Sequence, residues 1–125
     1  MQYEEFVDRV RRRGELDSFD EAEGATRATL TSLGDYLAGG GAGRDLASQL
    51  PQGLAEHLLR KPSGRADSFS LDDFLQEVGE REGVNADVAK VHAKAVMSVL
   101  EEAVSEGEVE DVRRQFPSEF DPLFE

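Results

Sequence analysis

A chain of 125 residues with 27 acidic and 14 basic side chains carries a formal charge of −13 and contains no cysteine. That charge opposes nonspecific binding to nucleic acid or to an anionic membrane, both of which need clustered positive charge. The missing thiols exclude disulfides, a cysteine nucleophile and a cysteine-based zinc site.

Apolar residues make up 38% of the chain, too many for a disordered segment, and no run reaches the ~18 apolar residues of a membrane span. The start, Met1-Gln2-Tyr3-Glu4-Glu5, is acidic where a secretory leader is basic and then apolar. A cytoplasmic protein with no membrane partner is expected. Only three basic residues are lysines (Lys61, Lys90, Lys94) against eleven arginines. An acidic, lysine-poor surface suits a salt-rich cytoplasm, because molar salt shortens the Debye length to ~3 Å and neighbouring carboxylates stop repelling.

Tyr3, Phe6, Val7 and Val10 fall at helical spacing and predict a helix over Tyr3–Arg13. Its end holds the one concentrated positive patch, Arg9, Arg11, Arg12 and Arg13, a candidate surface for a phosphate or the acidic face of a partner. The plainer reading is that these cations complement the helix dipole and pair with Glu4, Glu5 and Asp8. A second helix is predicted from Asp20 to Leu37, weakened by Gly24 and by threonines at 26, 29 and 31. Gly39-Gly40-Gly41 makes a turn, a short segment forms around Leu46, and Pro51 to Arg60 reads as a further helix with His57 at the surface. The glycine turn lacks the Lys-Ser/Thr and preceding strand of a phosphate loop.

Residues 61–69, with Pro62-Ser63-Gly64, form a linker. Beyond it Ser70 caps a helix in a capping-box-like start with Asp73, and Gly83 ends that helix. Asn85 caps a long helix from Ala86 to Val104, with His92 beside its apolar stripe as a partly buried structural histidine. Ser105-Glu106-Gly107 is expected to turn the chain, a short helix follows to Phe116, and Pro117 opens a last helix.

These two stretches are alike. Leu71, Phe74, Leu75 and Val78 repeat Tyr3, Phe6, Val7 and Val10 after 68 residues, and Arg81 matches Arg13. Asp87, Ala89, Ala95 and Leu100 then match Asp20, Ala22, Ala28 and Leu33. Later, Val112, Phe116, Phe120 and Phe124 match Leu46, Leu50, Leu54 and Leu58. The expected fold is all-α: two pseudo-twofold-related repeats of about four helices, residues 1–60 and 70–125, sharing one core. Residues 1–62 carry 8 basic and 11 acidic side chains and residues 63–125 carry 6 and 16. The second half is therefore the more strongly repelling surface.

The chain resembles the domain of unknown function 2267 family over nearly its whole length. The residues that carry the resemblance are Tyr3-Glu4-Glu5-Phe6, Glu23-Gly24-Ala25-Thr26-Arg27-Ala28-Thr29-Leu30 with Leu33-Gly34, Asp45-Leu46-Ala47-Ser48-Gln49-Leu50-Pro51, and Phe69-Ser70-Leu71-Asp72-Asp73-Phe74-Leu75. The Thr26-to-Leu30 stretch looks most like haloarchaeal members. The resemblance implies a helical, duplicated, soluble cytoplasmic protein and supplies no catalytic residue, cofactor or substrate.

No constellation in the sequence calls for catalysis, a cofactor or a metal. His57 and His92 are too few for a zinc site, and adjacent carboxylates such as Asp72-Asp73 or Glu101-Glu102 do not face each other on a helix. The first expectation is a non-catalytic protein-interaction or structural module whose partner is a protein, itself or another. The alternative is a small-ligand or cation-binding protein using the groove between the repeats. Nucleic acid is not an expected partner, the Arg patch notwithstanding. Thermal unfolding between low salt and molar KCl tests the halophilic reading: the melting temperature is expected to climb, and a flat or falling curve overturns it.

Overall fold

A computed structural model describes residues 1–37, 42–59 and 70–124. Among these the chain is all-helical: α1 Tyr3–Arg13, α2 Phe19–Tyr36, α3 Ala42–Ser48, α4 Ala55–Leu58, α5 Leu71–Glu82, α6 Ala86–Ala103, α7 Glu106–Arg114 and a final 3-10 helix Ser118–Phe124. The Gly39-Gly40-Gly41 turn and the 61–69 linker lie outside the described residues.

Local chemistry sets most of the boundaries. The Ser18 hydroxyl accepts from the Glu21 amide at the start of α2, and Ser70 and Asp73 form a full capping box at α5. Asn85 accepts from Val88 N at the start of α6. Two expectations are corrected. Ser105-Glu106-Gly107 does not turn the chain; Ser105 caps Glu108 N, and α7 begins at Glu106. The helix expected from Pro51 shrinks to Ala55–Leu58, because Gly53 takes a φ of 98°, which α-helix cannot contain. Pro117 does precede a helix, but one of 3-10 type, with Phe120 N donating to the Pro117 carbonyl at 3.0 Å.

α2 forms a full 18-residue helix despite its threonines and Gly24. Its residues from Ala28 to Asp35 are buried without a break, so the helix runs through the interior and tertiary burial overrides propensity. α2 and α6 pack against each other at the centre. α1 lies against α2 and α6, and α5 lies against α6 and α2. α4 covers α2, the 3-10 helix covers α6, and α3 meets α7.

The buried apolar residues form a single cluster, drawing Phe6, Val10, Leu30 and Leu54 from one stretch and Phe74, Val78, Val96 and Phe120 from the other. Each such side chain contributes about 1.5–3 kcal/mol of transfer free energy. Tyr36 stacks on Phe116 with ring centroids 4.2 Å apart, and Phe120 meets Phe74 edge-on at 5.8 Å. The last segment of the chain is thereby tied to both α2 and α5.

Two glycines of α2 have opposite consequences. A Cβ on Gly34 would lie 2.3 Å from the Leu58 carbonyl oxygen, so only glycine lets the α4 backbone approach. A Cβ on Gly24 would meet nothing within 4 Å. Urea unfolding is expected to show Gly34→Ala destabilised by about 1–3 kcal/mol and Gly24→Ala stabilised by about 0.5–1 kcal/mol. A Gly34→Ala variant as stable as the parent would contradict the close approach.

Candidate functional site: a cleft between two helix turns

The chain leaves α1 and α5 by the same backbone route. Leu16 N donates to Arg11 O at 2.9 Å, and Val84 N donates to Gly79 O at 2.9 Å, each a six-to-one bond closing a helix end. Such a closure needs one left-handed residue. In the second turn that residue is Gly83, with φ 83°. At the matching position of the first turn stands Glu15, with φ 54°, and no other described non-glycine residue has a positive φ. A left-handed conformation costs a non-glycine residue about 1–2 kcal/mol.

The two turns border one cleft of about 510 Å³. Glu15, Leu16 and Asp17 come from the first turn, and Asp20, Glu21 and Gly24 from the opening of α2. Glu82 and Val84 come from the end of α5, and Val88 and His92 from α6. Five carboxylates thus surround a single histidine. The volume falls in the range of small-molecule sites.

Glu82 is the most constrained of them. Its side chain is 6% exposed, one carboxylate oxygen is hydrogen-bonded to His92 Nδ1, and the other, Oε2, is buried with no hydrogen-bond partner among the described residues. Burial pushes its pKa above the usual glutamate value; the His92 hydrogen bond pulls it partly back, and the charge on Glu21 adds to the rise. His92 is partly buried, as its place beside the apolar stripe implied. His57 is half-buried on α4, not at the surface, because α4 is tucked onto α2. It does not line the cleft.

The Arg patch is engaged within the molecule. Arg9 bridges Glu5 and Glu102, both at 2.8 Å, and Arg13 reaches Ser98 at 2.8 Å and Glu102. Arg11 and Arg12 share Asp8. Arg12 and then Arg11 hold the Asp8 carboxyl below the usual range by hydrogen bonding, and Arg13 does the same for Glu102. Two of the four guanidiniums therefore fasten α1 to α6. Among the described residues, no group of three or more His, Asp or Glu could hold a metal ion, and no helix is long and apolar enough to cross a membrane.

Sequence reading expected a groove between the repeats but not its lining residues, because its walls come from the distant stretches 15–24 and 82–92. One signal was available: the 68-residue offset puts Glu15 on the position of Gly83, where a glutamate is locally unfavourable.

The fold and cleft define a small all-helical protein built on a central pair of long helices. It belongs to the family described as Uncharacterized conserved protein (DUF2267), which matches residues 3–123. Comparison with curated proteins finds no match.

The raised pKa of Glu82 means that the folded chain holds this proton more tightly than the unfolded one. Its contribution to stability is therefore fully present below the ordinary glutamate value and is lost as pH rises through the raised value. Glu82→Gln is expected to be more stable than the parent at neutral pH, with the difference shrinking as pH falls towards the ordinary glutamate range. Melting curves from pH 4 to 8 check this; a difference that does not change with pH would contradict it.

Proposed function

We propose that this chain is a non-catalytic binding protein whose working site is the cleft between the two turns, and that the cleft takes a positively charged small ligand. The carrying observation is Glu82: a nearly buried carboxylate, held by His92 on one oxygen and unpartnered on the other among the described residues, on a residue that lines the cleft together with four further carboxylates. A buried anion without full pairing weakens a fold. Retained here, it supports a role in attracting a cation from solution.

Glu15 adds an independent reason. A left-handed backbone is tolerated with a glutamate where glycine would be easier, and the strained residue lines the same cleft. The duplicated architecture read from the sequence fits as well. The helices pack reciprocally, and Arg13 and Arg81, aligned by the repeat, each reach the long helix of the other stretch, at Glu102 and at Asp35. In this reading the groove between two copies of a helical unit became asymmetric through Glu15 and His92, which face Gly83 and Ala25 in the alignment. A salt-rich cytoplasm remains the proposed setting, since the acidic surface suits it. A protein-docking role for Arg9, Arg11, Arg12 and Arg13 has less support, because each already faces a carboxylate.

Thermal shift at constant ionic strength, with Mg²⁺, Ca²⁺, guanidinium, methylammonium and 1,4-diaminobutane as probes, tests the proposal. At least one cation is expected to raise the melting temperature of the parent and to lose that effect in Glu82→Gln, since a ligand specific for the folded state stabilises it. Glu108→Gln serves as the control: Glu108 is also buried, and burial likewise raises its pKa, but it lies on α7 and does not line the cleft. Glu15→Gly is expected to gain about 1 kcal/mol of stability by relieving the backbone while binding more weakly. A flat response to every probe sinks the proposal.

A further inference from the structure

The arrangement of the cleft says more about the ligand than its sign of charge. Its carboxylates are spread along both walls and do not converge: no three acidic or histidine side chains among the described residues could share a metal ion. Calcium and magnesium demand several oxygens within about 2.0–2.6 Å of one point. A ligand that satisfies separated carboxylates must itself carry separated positive charges.

Between those carboxylates the lining is apolar. Leu16, Val84 and Val88 share the lining with the acidic residues, and Val88 remains 37% exposed. Gly24 leaves the α2 wall without a side chain, and a Cβ there would stand in open space. Methylene groups gain by covering such surface, whereas a compact hydrated cation does not. Past Gly24, Arg27, Thr31 and Arg81 line a neighbouring pocket of about 220 Å³, where Arg81 pairs with Asp35 and Glu77 and Arg27 with Glu23.

From this mixed lining of separated carboxylates and aliphatic side chains we infer that the cleft binds a linear aliphatic diamine or polyamine, its ammonium groups on the carboxylates and its methylenes on Leu16, Val84 and Val88. The inference rests on the cation-binding reading above and narrows it to one chemical class. Glu82, buried and with one oxygen unpartnered among the described residues, stands in the wall of the cleft.

Isothermal titration of the full chain with α,ω-diamines of three to eight carbons tests it, with ethylamine, Mg²⁺ and a lysine-containing tripeptide as comparators at constant ionic strength. Affinity is expected to rise by roughly two- to fourfold per added methylene, to pass through a maximum and then to fall, and to exceed that of ethylamine by about tenfold or more at the maximum. Glu82→Gln should weaken every diamine, while Val88→Asn should flatten the dependence on length and leave the fold melting as before. If Mg²⁺ or the tripeptide binds in a Glu82-dependent way while diamines do not, or if affinity ignores chain length, this inference falls and the cation-binding reading stands. If no cation binds at all, both fall.

Discussion

The burial of α2 against α6 is the constraint on which the rest of the structure depends. α2 is enclosed on nearly every side, including its threonines and Ser32, and it touches α1, α4, α5 and α6. An enclosed helix must present small side chains where its neighbours approach most closely. Gly34 is the extreme case, where the Leu58 carbonyl occupies the space a side chain would need. The hydroxyls of Thr29, Thr31 and Ser32 are buried without hydrogen-bond partners among the described residues, whereas Thr26 bonds back to the Ala22 carbonyl at 2.8 Å. This central helix is therefore held by packing around it and not by its own propensity.

Charge is arranged around that core with two different outcomes. Arg13 with Glu102 and Arg81 with the buried Asp35 bridge the first and second stretches of the chain, and Arg13 holds the Glu102 carboxyl below its usual range. The exposed first pair contributes little individually. The effect of both is in aligning α1 on α6 and α5 on α2. Elsewhere burial wins over pairing: Glu101 and Glu108 have their pKa values raised by desolvation, and Asp45 and Asp111 add to the effect at Glu108. A chain with 27 acidic residues cannot offer every carboxylate a cation; among the described residues Glu77, Glu82 and Glu108 each keep a buried oxygen without a partner, and Glu82 lines the cleft.

The cleft arises from packing two similar turns side by side. Both close a helix with the same hydrogen bond, and both hand the chain to a capped long helix. They differ in length, with residues 14–18 between α1 and α2 and residues 83–85 between α5 and α6, and in side chain. Glycine relaxes the second turn, while a strained glutamate projects charge from the first, and His92 stands opposite a position held by alanine in the other stretch.

The all-helical class, the family, the start and end of α1, the capping box at Ser70, the stop at Gly83 and the cap at Asn85 were all legible in the sequence, because each depends on residues within a few positions of one another. Apolar spacing likewise named Phe6, Val7, Val10, Phe74, Leu75 and Val78 as core, since a helix has one inward stripe whatever it packs against. The half-buried His57 and the pairing of Glu82 with His92 were decided by tertiary structure alone. Each depends on groups brought together by folding, and a sequence pattern records which face of a helix is apolar but not which distant residue will lie across from it.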